Sequence, residues 1–243
     1  MFILEGNIGA GKTTLLNKIK EHGLGNGTKS LQPIEVVFEP VNSWHKQKSG
    51  QSLLTNFYAD IPRWGYTLET YAMACRVREH IAEQAKNNPF KLIERSIYSG
   101  HYCFAHNSYH NGGMSRLEWL IYNQWFHFLV RNKCQAPLGF IYLTCDPATC
   151  LERIKLRNRA GEDNISLQYL EQIHERHEIF LSTKKDITTN LKSVPVLTLD
   201  GTKPFATDNQ IFEQYYETMN SFMCTICTQH HNQNNSKKTD VSI

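Results

Sequence analysis

No apolar run in these 243 residues approaches the ~20 residues that a helix needs to cross a bilayer, so no membrane partner is expected. Charge of one sign is not in excess either. Against 26 Lys and Arg stand 23 Asp and Glu, and a net charge of +3 is too small to argue for a nucleic-acid surface. A small molecule is the expected partner. A disulfide framework is missing: seven cysteines, an odd number without regular spacing, suit reduced thiols. No internal repeat is present, and the first motif starts at Gly6, which leaves no room ahead of it for a cleavable leader. The expectation is one soluble, cytoplasmic domain.

What is present begins at that motif. Gly6-Asn7-Ile8-Gly9-Ala10-Gly11-Lys12-Thr13 follows the apolar Phe2-Ile3-Leu4 and leads into the helix start Thr14-Leu15-Leu16, the strand–loop–helix context of a phosphate-binding loop. Glycines let the backbone form a nest of N–H donors, and the following helix adds the positive end of its dipole. Lys12 brings a point charge to the β- and γ-phosphates, and the Thr13 hydroxyl suits the shell of a Mg²⁺ ion. A nucleoside triphosphate site is therefore expected over Gly6, Asn7, Gly9, Ala10, Gly11, Lys12, Thr13 and Thr14.

Short apolar runs at Phe2–Leu4, Ile34–Phe38, Leu92–Ile93, Phe140–Leu143 and Val194–Leu199 alternate with amphipathic stretches. Continuous apolar strands separated by helices predict an α/β, three-layer α/β/α fold with a five-stranded parallel sheet. Helices are expected over Tyr66–Lys86, Leu117–Val130, Ala148–Asn158 and Ile211–Phe222. The domain is expected to occupy residues 1–228, with residues 229–243 a polar, mobile tail. In such sheets ligands bind at the carboxyl edge. The phosphate loop, Glu39 after the second strand and Glu94-Arg95-Ser96 after the third all fall there.

The phosphate loop, Glu39-Pro40-Val41 with Trp44, Glu94-Arg95-Ser96-Ile97-Tyr98-Ser99 and Arg153-Ile154-Lys155-Leu156-Arg157-Asn158-Arg159 lie in the order and spacing of the deoxynucleoside kinases. From Phe2 to about Asp200 the chain resembles that family, most of all its deoxycytidine, deoxyguanosine and deoxyadenosine branch. The resemblance implies an ATP- and Mg²⁺-dependent transfer to the 5′-hydroxyl of a deoxynucleoside, and a homodimer. It makes Glu39 the general base, with Arg95 and Lys12 at the transferred phosphate and Glu94 beside Thr13 at the metal. Arg153, Arg157 and Arg159 match an arginine lid, about residues 153–165, that closes over the ATP phosphates. Glu162 and Tyr58 match the pair on the sugar 3′-hydroxyl, and Trp44 and Phe104 the aromatics near the base.

The base pocket departs from the family pattern at two positions. Glu69 stands where relatives carry Gln, and Gly100 replaces Asp or Ala, while Arg76 is retained. Glu69, Ala72, Met73 and Arg76 share one helical stripe. An ionised carboxylate only accepts hydrogen bonds, so Glu69 favours guanine, whose N1–H and 2-amino group both donate, with Arg76 donating to O6 or N7. The alternative is that Glu69 pairs with Arg76 and leaves selectivity broad. A nucleoside monophosphate kinase is a competing function, opposed by Glu39, which would repel an acceptor phosphate. A GTP-binding switch is another, and lacks an Asn-Lys-x-Asp element here. Cys224-x-x-Cys227-x-x-His230-His231 is too compressed for a zinc finger.

Overall fold

A computed structural model describes residues 1–24, 32–40, 52–86, 88–159 and 161–239. Five parallel strands, β1 (Phe2–Glu5), β2 (Glu35–Val37), β3 (Lys91–Glu94), β4 (Gly139–Thr144) and β5 (Val196–Asp200), form one sheet in the order β2-β3-β1-β4-β5. Every expected apolar run supplies a strand. Phe2 aligns with Leu92 on one side and Gly139 on the other, so β1, the strand that enters the phosphate loop, is central. Its side chains alternate between the two faces, and both faces are buried. Ile3 packs with Phe140 and Tyr142 in one core, while Phe2 and Leu4 join Leu92, Ile141 and Leu143 in the other.

The first of these cores is closed by α3 (Ile61–Gln84), α4 (Ile97–Ser99, continued by a π-helical turn Gly100–Ala105 and by His106–His110), α5 (Arg116–Lys133) and α7 (Leu167–His177, followed by a π-helical turn Glu178–Thr183). The second is closed by α1 (Lys12–Leu24) and α9 (Asn209–Thr239). The remaining helices among the described residues are α2 (Leu53–Ala59), α6 (Pro147–Arg157) and the single turn α8 (Thr189–Lys192). This is the three-layer arrangement expected from the alternating pattern.

Helix ends follow local chemistry. The Asp146 carboxylate accepts the Thr149 N–H at the start of α6, Pro147 fits its first turn, and Asn158 stops it in the left-handed region at φ 46°. Ser115 and Glu118 close a reciprocal cap on α5. One expectation is corrected. The last helix does not stop near Phe222, and the segment expected to be a mobile tail from Gln229 is helical as far as Thr239. Met223, Ile226 and Cys227 still pack against the core beside the sheet, which carries the helix past Phe222.

Candidate active site

The phosphate loop leaves β1 through backbone that only glycine adopts easily. Gly9 has φ +80° and Gly11 φ +98°, and a Cβ on Gly11 would lie 2.9 Å from the Phe205 ring. Asn7 braces the loop, accepting the Ile8 N–H at 2.8 Å and donating to the Leu170 carbonyl at 2.8 Å. The Lys12 ammonium donates to the carbonyls of Gly6 and Asn7 at 3.0 and 2.7 Å. Burial, helped by the nearby Arg95 charge, lowers its pKa to about 7. Ala10 is packed against Cys150 and Ile154 of α6, and Thr14 faces outward from α1.

Beside the loop the ends of β2 and β3 bring their charges together. Arg95 leaves β3 in the left-handed region at φ 63°, its N–H bound to the Leu4 carbonyl at 2.8 Å. Its guanidinium lies 4.5 Å over the Phe104 ring and its Nε donates to Glu39 Oε2 at 3.3 Å. Arg76 of α3 donates to Glu39 Oε1 twice, from Nε at 3.0 Å and from Nη2 at 2.7 Å. Burial alone would raise the Glu39 carboxyl, but Arg76 and Arg95 outweigh it and hold the group below its ordinary range. Glu39 is thus a carboxylate at neutral pH. Glu94 accepts the Thr13 hydroxyl at 2.6 Å and the Glu39 backbone N–H at 3.2 Å.

A cavity of about 380 Å³ joins Gly9, Lys12 and Thr13 to Glu39, Glu94 and Arg95, and continues between Tyr58, Glu69, Phe104 and Tyr169. Glu69 is only 4% exposed, and burial raises its carboxyl to about 7. No hydrogen bond reaches its side chain among the described residues, and the Arg76 ion pair runs to Glu39. Arg76 thus makes its close ion pair with Glu39 and acts on Glu69 as a neighbouring charge. A Cβ on Gly100 would lie 2.6 Å from Arg76 Nη1, so the guanidinium fills the space beside that glycine.

At the lid, Glu162 accepts from Arg157 Nε and Nη2 at 3.1 and 2.6 Å and from Arg159 Nη1 at 3.3 Å, and all three side chains line the cavity. Burial, then the Glu162 and Glu69 charges, push the Tyr58 hydroxyl well up, which keeps it a neutral donor and acceptor. Arg153 parts from Arg157, although helical spacing puts them on one face. It lies outside the cavity lining and donates to the carbonyls of Ala10, Gly201 and Thr202, tying the phosphate loop to the turn after β5. Trp44 lies outside the described residues.

Two residues, Glu5 and Tyr169, were missed from the sequence. The Glu5 carboxylate, fully buried at the end of β1, accepts the Ser96 hydroxyl, while Ser96 in turn accepts the N–H groups of Tyr98 and Ser99 to start α4. This couples the loop strand to the strand that carries Glu94 and Arg95. Its only signal was a charge at the end of an apolar run. Tyr169 forms part of the cavity wall and meets Tyr58 edge-on at 6.2 Å.

The deoxynucleoside kinase family model matches residues 2–224. The chain is 35% identical to deoxycytidine kinase 2 of Gallus gallus, over 90% of this chain and 89% of the relative. It is 36% identical to human deoxycytidine kinase, over 92% and 90%. Mitochondrial thymidine kinase 2 of Macaca fascicularis is 36% identical, over 87% of this chain and 74% of the relative. A phosphate loop and a carboxylate clamped by arginines open onto one cavity, and relatedness of this extent covers all of them: the chain belongs to the deoxynucleoside kinase family and is a phosphotransferase.

Proposed function

We propose that this kinase transfers the γ-phosphate of ATP to the 5′-hydroxyl of a deoxynucleoside, with Mg²⁺ as cofactor and a preference for guanine. The observation that carries this reading is that a single cavity is lined by the phosphate loop, by Glu39 with Arg95, and by Tyr58, Phe104, Tyr169 and Glu69. The acceptor oxygen gives its proton to the Glu39 carboxylate as its bond to the γ-phosphorus forms, and the bond from that phosphorus to the departing ADP oxygen breaks. Lys12, Arg95, Arg157 and Arg159 neutralise the oxygens on which charge gathers. Arg153 contributes by holding the loop.

Thr13 and Glu94 suit a hard cation, since a hydroxyl and a carboxylate oxygen meet at 2.6 Å next to Lys12. They would hold Mg²⁺, which would neutralise phosphate charge when bound. Glu162 and Tyr58 serve the 3′-hydroxyl, while Phe104 and Trp44 flank the base. Ionised Glu69 accepts from both donors of guanine, and guanine binding itself favours the ionised form. Leu117, Leu120, Ile121, Trp125 and Phe128 form an exposed stripe on α5, between 37% and 67% exposed, which supports a homodimer through that helix. Seven free cysteines suit a reducing compartment such as the cytoplasm.

The test is kcat/KM with ATP and Mg²⁺ over the four deoxynucleosides, with nucleoside monophosphates as control acceptors. Glu39→Gln should keep nucleoside binding and lose kcat by about 10²-fold. Near-normal kcat in that variant removes Glu39 as the base, and a pyrimidine preference removes the guanine reading.

A further inference from the structure

We propose that Arg76 is a positioning residue for the general base, fixing which oxygen of Glu39 receives the proton, and that Gly100 leaves the space in which it does so. The inference rests on the reading of Glu39 as that base. Arg76 stands on the stripe that carries Glu69, where a base-reading role is the first expectation, yet its two-point contact goes to Glu39, 37 residues away in sequence.

The two oxygens of Glu39 are not equivalent. Oε1 takes both Arg76 hydrogen bonds at 3.0 and 2.7 Å, whereas Oε2 takes one longer bond from Arg95 at 3.3 Å. A carboxylate oxygen held by two charge-assisted donors is the poorer proton acceptor. Oε2 is therefore the oxygen that takes the 5′-proton. The planar fork of Arg76 also fixes the carboxylate plane, which a single point charge could not do.

Gly100 makes this possible. A Cβ there would sit 2.6 Å from Arg76 Nη1, and a carboxylate at that position would in addition draw the guanidinium away from Glu39. Phe104, one turn further along α4, lies under both cations, with Arg95 at 4.5 Å and Arg76 at 5.9 Å from its ring centre. Both partners are buried, with Arg76 and Glu39 side chains 8% and 7% exposed, so water screens the pair little. The other charged groups facing Glu39 among the described residues are Lys12 from α1, Glu94 and Arg95 from the end of β3, and Glu69 and Glu79 from α3. Of these, Lys12 and Arg95 act with Arg76, and the three carboxylates act against it.

The test is the split between single-turnover kcat and nucleoside KM at saturating ATP and Mg²⁺. Arg76→Ala should lower kcat by about tenfold or more while nucleoside KM changes much less, and added guanidinium ion should restore kcat. Gly100→Asp should lower kcat likewise with the guanidinium still present. If Arg76→Ala does not fold, Arg76→Lys, which keeps the charge and loses the fork, should show the same loss of kcat. Unchanged kcat in the folded Arg76 variant and in Gly100→Asp, with losses confined to nucleoside KM, overturns the proposal and makes Arg76 a base-recognition residue. Glu39→Gln separates the two readings. If it abolishes turnover while the Arg76 variants keep kcat, only the positioning role falls; if it retains turnover, the general-base reading falls first.

Discussion

Replacing Glu69 by Gln tests the base pocket and its electrostatics together. Burial, opposed by Arg76 and Arg95 and assisted by Glu39, raises the Glu69 carboxyl from 4.5 to about 7. The folded protein therefore holds a proton there that the unfolded chain has lost, and the stabilisation is complete below pH 4.5 and disappears as pH rises through 7. A shift of this size is worth about 3 kcal/mol at most. The amide of Glu69→Gln carries no such titration, so the variant should gain stability on the wild type between pH 5 and pH 8, by about 6–12 °C in Tm at the upper limit. Substrate choice should change with it. The ionised form accepts from both guanine donors, whereas the protonated form, like Gln, has a donor and an acceptor and suits cytosine or adenine. The wild-type ratio of kcat/KM for deoxyguanosine over deoxycytidine should rise about tenfold from pH 6 to pH 8, and that of Glu69→Gln should be low and flat. Thermal melts at four pH values and paired kcat/KM measurements decide the matter. A stability difference independent of pH, together with a flat wild-type ratio, refutes the reasoning.

The Lys12 ammonium, lowered to about 7 by burial and by Arg95, should be recharged by a triphosphate, so ATP binding at pH 8 should take up close to one proton. Calorimetry in buffers of different ionisation heat measures this, and Lys12→Met should abolish the buffer dependence. Arg157→Ala removes a lid charge and also releases Glu162, so kcat should fall and nucleoside KM rise, while Glu162→Gln should raise nucleoside KM chiefly. A loss confined to KM for ATP would contradict that coupling. Gly11→Ala forces a side chain to φ +98° against Phe205 and should lower stability by about 1–2 kcal/mol and weaken ATP binding, as melting temperature and KM for ATP will show.

Local chemistry and periodicity settled much of this protein in advance. Continuous apolar runs separated by amphipathic stretches leave few options besides a parallel sheet with both faces covered, and a glycine-rich loop between strand and helix has one common use. Because parallel strands all end at one edge, Glu39 and Glu94-Arg95 could be placed beside the phosphate loop without coordinates. The periodicity of a helix, however, assigns a residue to a face and says nothing of the group opposite that face. Arg76 shares a stripe with Glu69 and yet is held by Glu39, because β2 ends within reach of α3 and Gly100 leaves the guanidinium its space. Arg153 and Arg157 lie one turn apart and part company, since the carbonyls after β5 meet the first and Glu162 meets the second. The sheet order, the near-complete burial of Glu69, the tie between Glu5 and Ser96 and the continuation of α9 to Thr239 are of the same kind. Charge pairing and desolvation depend on distances between elements remote in sequence, and only the packed chain sets those distances.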